Sequence, residues 1–530
     1  MATVTPLPET PAPRRTGIGR WWLALAALGL LPSLIPLASL VIATIRDGAV
    51  ATVPGSRLAQ LMVNTLALAV TVTATATALG TATAWLVTRT TVPMRRVWTI
   101  LVALPLVMPS YVVALTLLGA TGPTGVLSEL VGRMGLGPIP VPDGFFGSWL
   151  ALTVFAVPYV HLAAVPAIRA IDPALEEASR SLGVSRWHTF RKVTLPMLRP
   201  ATTASALLVS LYTISDFGVV SLLRYDTFTR AIYAQYQGRL DRRPALTLAL
   251  VLIVVAVAVV WFERRTRRHA RYEGAPSARP VPIDLGRGWT VTAVGFLTGL
   301  TTVSIALPSI VLFTWLARGA TAGQSIGAPV AETLRSLVVS VAAAVVAALV
   351  SIPVAMVTVR GRQRAAAAAE TVTWMSYALP HIAMGLAMVT FALRVVPGLY
   401  QTTFLLVVAY VAMFLPQTVA TSSDSLRRIR PSLEEASRSL GRSAIETTVR
   451  ITLPLMRRGL LAGAALVFLT TMKELPATLL LRPNEFETLA IRIWAATGEG
   501  FYTRASAAAL ILLAVSAIPL ALVTIRDLDR

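Results

Sequence analysis

Long apolar stretches dominate this sequence, and their length leaves few folds open. They run at about 21–45, 58–88, 97–118, 148–168, 200–223 and 244–262, then again near 289–316, 333–359, 371–395, 402–422, 459–481 and 505–525. A helix needs about 20 predominantly apolar residues to cross the hydrocarbon core, and each stretch is long enough, some with tilt. Inside a bilayer every backbone N–H and C=O must be paired internally, which only helices and closed barrels achieve. A barrel would show segments of about ten residues alternating in polarity, and these stretches do not alternate. The expected fold is an all-α polytopic membrane protein with about 12 transmembrane helices. Composition agrees, with 55% of 530 residues hydrophobic and 14% charged, against roughly a quarter charged in soluble domains. Prolines inside the stretches (Pro32, Pro36, Pro105, Pro109, Pro158, Pro353, Pro380, Pro416) are tolerated in a membrane. The absence of cysteine excludes disulfides, iron–sulfur clusters and thiol catalysis.

A net charge of +22 would ordinarily point to nucleic acid, but its distribution gives another reading. With the N-terminus inside, the cytoplasmic segments are 1–20, 89–96, 169–199, 263–288, 360–370, 423–458 and the C-terminus. They hold 32 of the 47 Lys and Arg residues, the bias expected of cytoplasmic loops. Arg264, Arg265, Arg267, Arg268 and Arg271 form the densest cluster. Anionic lipid or nucleic acid is an alternative use for it, and sidedness accounts for it without a further partner. No nucleic-acid partner is expected, and both termini are expected in the cytoplasm. The first stretch is too long for a signal-peptide core, and the polar, Pro-rich first 13 residues are expected to be disordered.

The chain is internally duplicated. Leu175-Glu176-Glu177-Ala178-Ser179-Arg180-Ser181-Leu182-Gly183 recurs unchanged at 433–441, an offset of 258. At that offset Thr194-Leu195-Pro196 recurs as Thr452-Leu453-Pro454, Leu222-Leu223-Arg224 as Leu480-Leu481-Arg482, and Asp216 falls opposite Glu474. The halves, 21–262 and 289–530, carry six spans each. An even number returns each half to the same side, so the repeats are parallel. The tail 1–20 precedes them and the basic linker 263–288 joins them.

Each nine-residue copy lies in the cytoplasmic loop between the fourth and fifth spans, at 170–197 and 424–455. Leu175, Ala178 and Leu182 give one apolar stripe on a short helix. Asp172-Pro173 reads as a helix start, and Ser432 with Glu435 has capping-box spacing. Glu176 with Arg180, and Glu434 with Arg438, are i,i+4 pairs in the favourable order, while Gly183 and Gly441 suit a left-handed helix stop. The product is a helix–turn–helix elbow with one apolar face, shaped to dock in a partner's groove. The alternative is an elbow lying on lipid headgroups, where Glu176 and Glu177 would face an anionic leaflet.

These residues resemble the EAA loop of ABC-importer permeases: Glu-Ala-Ala, three residues, Gly, nine residues, Ile, one residue, Leu-Pro. Glu177-Ala178-Ser179, Gly183, Val193 and Leu195-Pro196 fit it, as do Glu435-Ala436-Ser437, Gly441, Ile451 and Leu453-Pro454. Ser replaces the third-position Ala in both copies, and Val193 replaces Ile in the first. The resemblance implies a fused, two-half permease of the type I importer fold. It makes Glu176, Glu177, Ala178, Ser179, Gly183, Leu195, Pro196 and Glu434, Glu435, Ala436, Ser437, Gly441, Leu453, Pro454 the residues of two coupling loops. It also implies two copies of a cytoplasmic ATPase subunit and an extracytoplasmic substrate-binding protein, in a bacterial cell membrane. Ser215-Asp216-Phe217-Gly218 with the segment 221–233, and the segment 473–483, are similar to the ferric-iron branch. Thiamine importers share the two-lobed design.

No Gly-x4-Gly-Lys-Ser/Thr loop exists: Lys192 follows Arg191 and Lys473 follows Met472. ATP-Mg is therefore expected on partner subunits, with no cofactor bound here and no catalytic site. Ionisable residues inside spans are costly and lean functional, which marks Asp216, Lys473 and Glu474 as pathway or gate candidates. A structural ion pair, either Lys473–Glu474 or interhelical, is the competing reading. His161 and His381 lack ligand spacing and read as packing or hydrogen-bonding residues; no metal site is assigned. A twelve-helix secondary transporter is the rival class, but the 88–97 loop lacks that class's Gly- and Asp-containing signature. A membrane-bound enzyme would need an acid–base or metal constellation that the sequence does not assemble.

Overall fold

A computed structural model of the chain describes residues 19–123, 125–135, 139–238, 241–266, 282–324 and 327–528. The first 13 residues, and Arg267, Arg268 and Arg271 of the linker, lie outside the described residues. Among those described, regular secondary structure is helical apart from one isolated parallel bridge between Thr90 and Ile283. Nine of these helices are long and apolar enough to cross a bilayer, and Gln363–Ala378 with His381–Val395 makes a tenth if the bent pair is one span. Leu195–Ser215 and Tyr502–Leu528 carry the remaining two apolar stretches.

Four stretches expected to be continuous are broken, at matching places in the two halves. The third stretch of each half bends before a proline. Arg95–Ala103 is followed by a short turn, and Ser110–Thr121 begins after Pro109. Gln363–Ala378 and His381–Val395 meet at Pro380 with a 106° bend. Proline has no N–H to give and pushes the preceding residue to extended backbone; Met108 accordingly has φ −81° and ψ 131°. The fifth stretch breaks at its acidic residue. Leu195–Ser215 gives way to Gly218–Leu222 across Asp216, and Leu453–Met472 gives way to Pro476–Leu481 across Glu474.

The chain forms two compact units. One comprises the start of the chain to Ile35, 340–377 and 407–471; the other comprises 36–339, 378–406 and 472–530. In the first, the N-terminal helix packs against the second half, with Trp22, Ala26 and Leu30 buried with Val354, Val357, Leu415 and Val419. In the other, the first helix of the second half does the reverse, Ala293 and Leu297 packing with Val92, Val102 and Val157. Each half thus lends its first helix to the other. Lipid tails are as apolar as these side chains, so close packing drives such contacts, and small residues permit it. A Cβ on Gly29 would lie 2.5 Å from Val350 Cγ1 in the first unit, and one on Gly80 would lie 2.5 Å from Val160 Cβ in the other.

Candidate functional site

The loop between the fourth and fifth spans folds as an elbow in both halves. Pro173–Ser181 starts with Asp172 accepting from the Ala174 N–H at 3.0 Å. It stops at Gly183, whose φ of 80° is the left-handed conformation that glycine adopts freely. Pro431–Ser439 stops in the same way at Gly441, φ 85°. Its start departs from expectation: Arg430 holds the cap position without a side-chain bond, and Ser432 lies inside the helix, so it forms no capping box with Glu435. The side-chain cap appears on the next short helix, where Ser443 accepts from the Glu446 N–H at 3.2 Å. Beyond it, Phe190–Thr194 and Thr448–Thr452 are single wide (π) turns leading into the fifth span. Pro196 and Pro454 lack the N–H that a continuous α-helix needs there, and such turns are common at functional sites.

The elbow residues divide into an outer and an inner set. Glu177, Ala178 and Gly183 are exposed, as are Glu435, Ala436 and Gly441. Leu182 and Leu440 are 82% and 83% exposed, and Leu175 and Leu433 are about half exposed. The apolar stripe is therefore an unpartnered outer face. Ser179 and Ser437 turn inward to Thr189 and Thr447, at 3.0 and 2.9 Å. Glu176 and Glu434 also turn inward, accepting from Thr194 and Thr452 at 2.7 and 3.1 Å. The expected Glu176–Arg180 pairing is replaced: the carboxylate faces Thr194 and Arg89, and Arg180 Nε donates to the Glu176 backbone carbonyl instead. Glu434 likewise faces Arg360. Leu195-Pro196 and Leu453-Pro454 open the helices that enter the membrane.

The helix breaks form the second duplicated feature, and both belong to the larger unit. Asp216 is buried, with one oxygen accepting from the Val219 N–H at 2.9 Å and the other from Ser110 Oγ at 2.6 Å. Tyr212 OH donates to Ser110 Oγ at 3.1 Å, and Thr229 Oγ1 donates to the Asp216 carbonyl at 2.6 Å. Glu474 is buried in the corresponding way, one oxygen accepting from the Ala477 N–H at 3.1 Å and the other 2.8 Å from His381 Nδ1. Thr478 Oγ1 donates to its carbonyl at 2.8 Å. Each carboxylate caps the half-helix that follows it and binds the first residue of the half-helix after a proline. Close approach makes this possible: a Cβ on Gly218 would lie 2.6 Å from Tyr111 Cβ, and one on Gly385 would lie 3.1 Å from Ala477 Cα.

Lys473 does not pair with Glu474. Its Nζ donates to the Leu106 carbonyl at 2.7 Å and sits 6.0 Å from the centre of the Phe155 ring. His161 is buried against Thr83, 2.9 Å from Oγ1, as a packing residue would be. His381, read in the same way, is a hydrogen-bonding residue whose partner is Glu474. Among the described residues no three His, Asp or Glu side chains converge as a metal site.

Sequence reasoning missed Arg89 and Arg360 at the elbows and Ser110, His381 and Tyr212 at the breaks. A signal was present at a different offset. Arg89 and Arg360, like Ser110 and His381, are 271 residues apart, whereas the elbows and acidic residues are 258 apart. The first half carries 13 extra residues between Ser110 and Asp172, in the region of its outer loop.

Comparison with known proteins follows the same two-copy pattern. The family described as binding-protein-dependent transport system inner membrane component matches twice, at residues 76–271 and 347–528. The Fe(3+)-transport system permease protein FbpB 2 of Haemophilus influenzae is 31% identical over 510 residues, covering 94% of this chain and 97% of that protein. The ferric transport system permease protein FbpB of Actinobacillus pleuropneumoniae is 26% identical over 434 residues, covering 78% of this chain but 63% of the relative. A probable molybdenum ABC transporter permease protein of Haloferax volcanii is 33% identical over 241 residues, covering 45% of this chain and 86% of the relative. The elbows, the helix breaks and the doubled match fall into one pattern: this chain belongs to the binding-protein-dependent transport system inner membrane component family, as a permease with both copies fused in one polypeptide.

Proposed function

We propose that the chain is the membrane subunit of an ATP-driven importer that carries ferric iron into the cytoplasm by alternating access. The observation that carries this reading is the exposed apolar stripe on two elbows of the same geometry. Two like faces suit two copies of one ATPase subunit, each taking an elbow in a groove. ATP-Mg belongs to those partners, and this chain supplies no catalytic group. ATP binding would draw the partners together, shift both elbows and open the pathway outward; hydrolysis would reset it. A ligand shifts a conformational equilibrium only through contacts that differ between the states, and the elbows offer such contacts. Both termini lie on the elbows' side, in the cytoplasm, and an extracytoplasmic binding protein delivers substrate opposite.

The substrate reading rests on two supports. The relatives named for ferric transport match across both halves, whereas the molybdenum relative matches less than half of the chain. Asp216 and Glu474 offer carboxylate oxygens, the ligand type that a hard cation prefers. With Lys473 they are the pathway or gate residues. The test uses proteoliposomes containing the permease, its ATPase and its loaded binding protein. Uptake of radiolabelled ferric iron that requires ATP is expected. ATP-driven uptake of thiamine, with no iron uptake, would overturn the substrate and leave the permease.

A further inference from the structure

One contact recurs at both elbows without being part of the repeated sequence. Arg89 is the last residue of the Gly55–Arg89 helix, and Arg360 is the last of Val330–Arg360. Arg89 reaches a Glu176 oxygen at 3.4 Å and the Ile171 carbonyl at 3.5 Å. Arg360 reaches a Glu434 oxygen at 3.6 Å, the Ile429 carbonyl at 2.7 Å and the Leu426 carbonyl at 3.4 Å. Ile171 and Ile429 are equivalent under the 258-residue repeat, each on the chain between the fourth span and its elbow. Thr194 and Thr452, on the same two glutamates, stand where the fifth span begins. One inward-turned carboxylate in each half thus ties together the end of the second span, the exit from the fourth, the elbow helix and the entry to the fifth.

The tie is not fully closed. Charge-assisted hydrogen bonds settle near 2.7–2.9 Å, and both Arg–Glu distances are longer. Arg89 is 3% exposed and Arg360 12%, and the Nε of each has no hydrogen-bond partner. A buried guanidinium N–H without a partner is costly, so a small movement of the elbow that closes the fork onto the carboxylate would be favoured. This is the kind of contact difference that lets a bound partner shift an equilibrium.

We propose that Arg89 and Arg360 are the positioning residues through which the elbows act on the membrane helices, tightening on Glu176 and Glu434 when the elbows are pulled. This rests on the reading that the elbows dock the ATPase. The test compares the wild-type importer in proteoliposomes with Arg89→Gln plus Arg360→Gln, and with Arg89→Lys plus Arg360→Lys. The readout is substrate taken up per ATP hydrolysed, with ATPase co-purification measured alongside. Typical coupling energies correspond to roughly 5–150-fold changes; the Gln pair should lower the ratio about tenfold within that range. The Lys pair should fall between, because an ammonium keeps the charge but not the fork. If the Gln pair does not assemble, Glu176→Gln plus Glu434→Gln takes its place, keeping a hydrogen-bond acceptor for each threonine while removing the ion pair. A wild-type ratio in an assembled variant lacking the ion pair would overturn the proposal, as would a loss of uptake matched by an equal loss of assembled complex in both the Arg→Gln and the Glu→Gln pairs. A wild-type importer without ATP-driven uptake would instead sink the reading beneath it.

Discussion

Between the two elbows nine consecutive residues are unchanged and the inward contacts of Glu176, Ser179 and Arg89 recur at Glu434, Ser437 and Arg360. Between the two helix breaks the backbone plan recurs and the side chains do not. Asp216, Ser110 and Ser215 at one break stand opposite Glu474, His381 and Lys473 at the other. The contrast separates two kinds of constraint. Under the proposed function the outer face of each elbow meets the same partner, which requires one shape and one surface. The breaks need only preserve the capped carboxylate that ends one half-helix and starts the next, and their remaining chemistry is free to become unequal. A single chain carrying both halves allows that inequality, since each break can be changed without changing the other.

Destroying the outer face of the elbows should have the largest effect. Leu182→Asp with Leu440→Asp places charges on the two most exposed leucines of the stripe. ATPase co-purification should be lost and uptake should fall to background, measured with radiolabelled substrate in vesicles. Undiminished co-purification would move the docking face elsewhere. Glu177→Ala with Glu435→Ala, also outward, should abolish uptake with less effect on docking; full uptake and docking would remove these residues from the coupling set.

At the breaks the expected effects are smaller and unequal. Asp216→Asn and Glu474→Gln should each impair transport several-fold while the complex still assembles, in the range of typical coupling energies. The unequal surroundings, Ser110 at one and His381 with nearby Lys473 at the other, should make the two single losses differ. Wild-type transport kinetics in both variants would take the carboxylates off the pathway.

The smallest effect tests a place where the two elbow helices, identical over 175–183 and 433–441, begin differently. Asp172 caps its helix and Ser432 does not cap the other. Asp172→Ala should cost about 1 kcal/mol of local stability, the usual value of a lost cap. Ser432→Ala should stay within about 0.5 kcal/mol, as surface changes do. Hydrogen exchange over the two elbow helices would report both. Equal loss at the two sites would contradict the assigned caps.

How far the sequence could be read depended on how local each feature is. Elbow helices, glycine stops and the apolar stripe follow from residues within one or two turns of each other, so spacing alone exposes them. Span positions follow from hydropathy. The broken spans do not, because Asp216 and Glu474 lie within apolar stretches, and only the fold shows that each carboxylate replaces a helical turn with a cap. Contacts such as Arg89 with Glu176 and His381 with Glu474 join residues 87 and 93 apart. They do not repeat at offset 258, because the extra residues of the first half shift their repeat to 271. Ser432 does not cap for a local reason: Pro431 begins the helix two residues before a Ser432 cap would, and proline favours that first position.

Under the proposed function the two elbows take up the motion of an ATPase, and the absence of cysteine in this chain permits a direct test. Leu182→Cys and Leu440→Cys, each carrying a thiol-anchored photo-cross-linker, would be irradiated in the assembled importer. Each single variant should give an adduct between permease and ATPase, and the double variant should give an adduct with two ATPase copies. Labelled, assembled importer in which neither position reaches the ATPase would contradict the account.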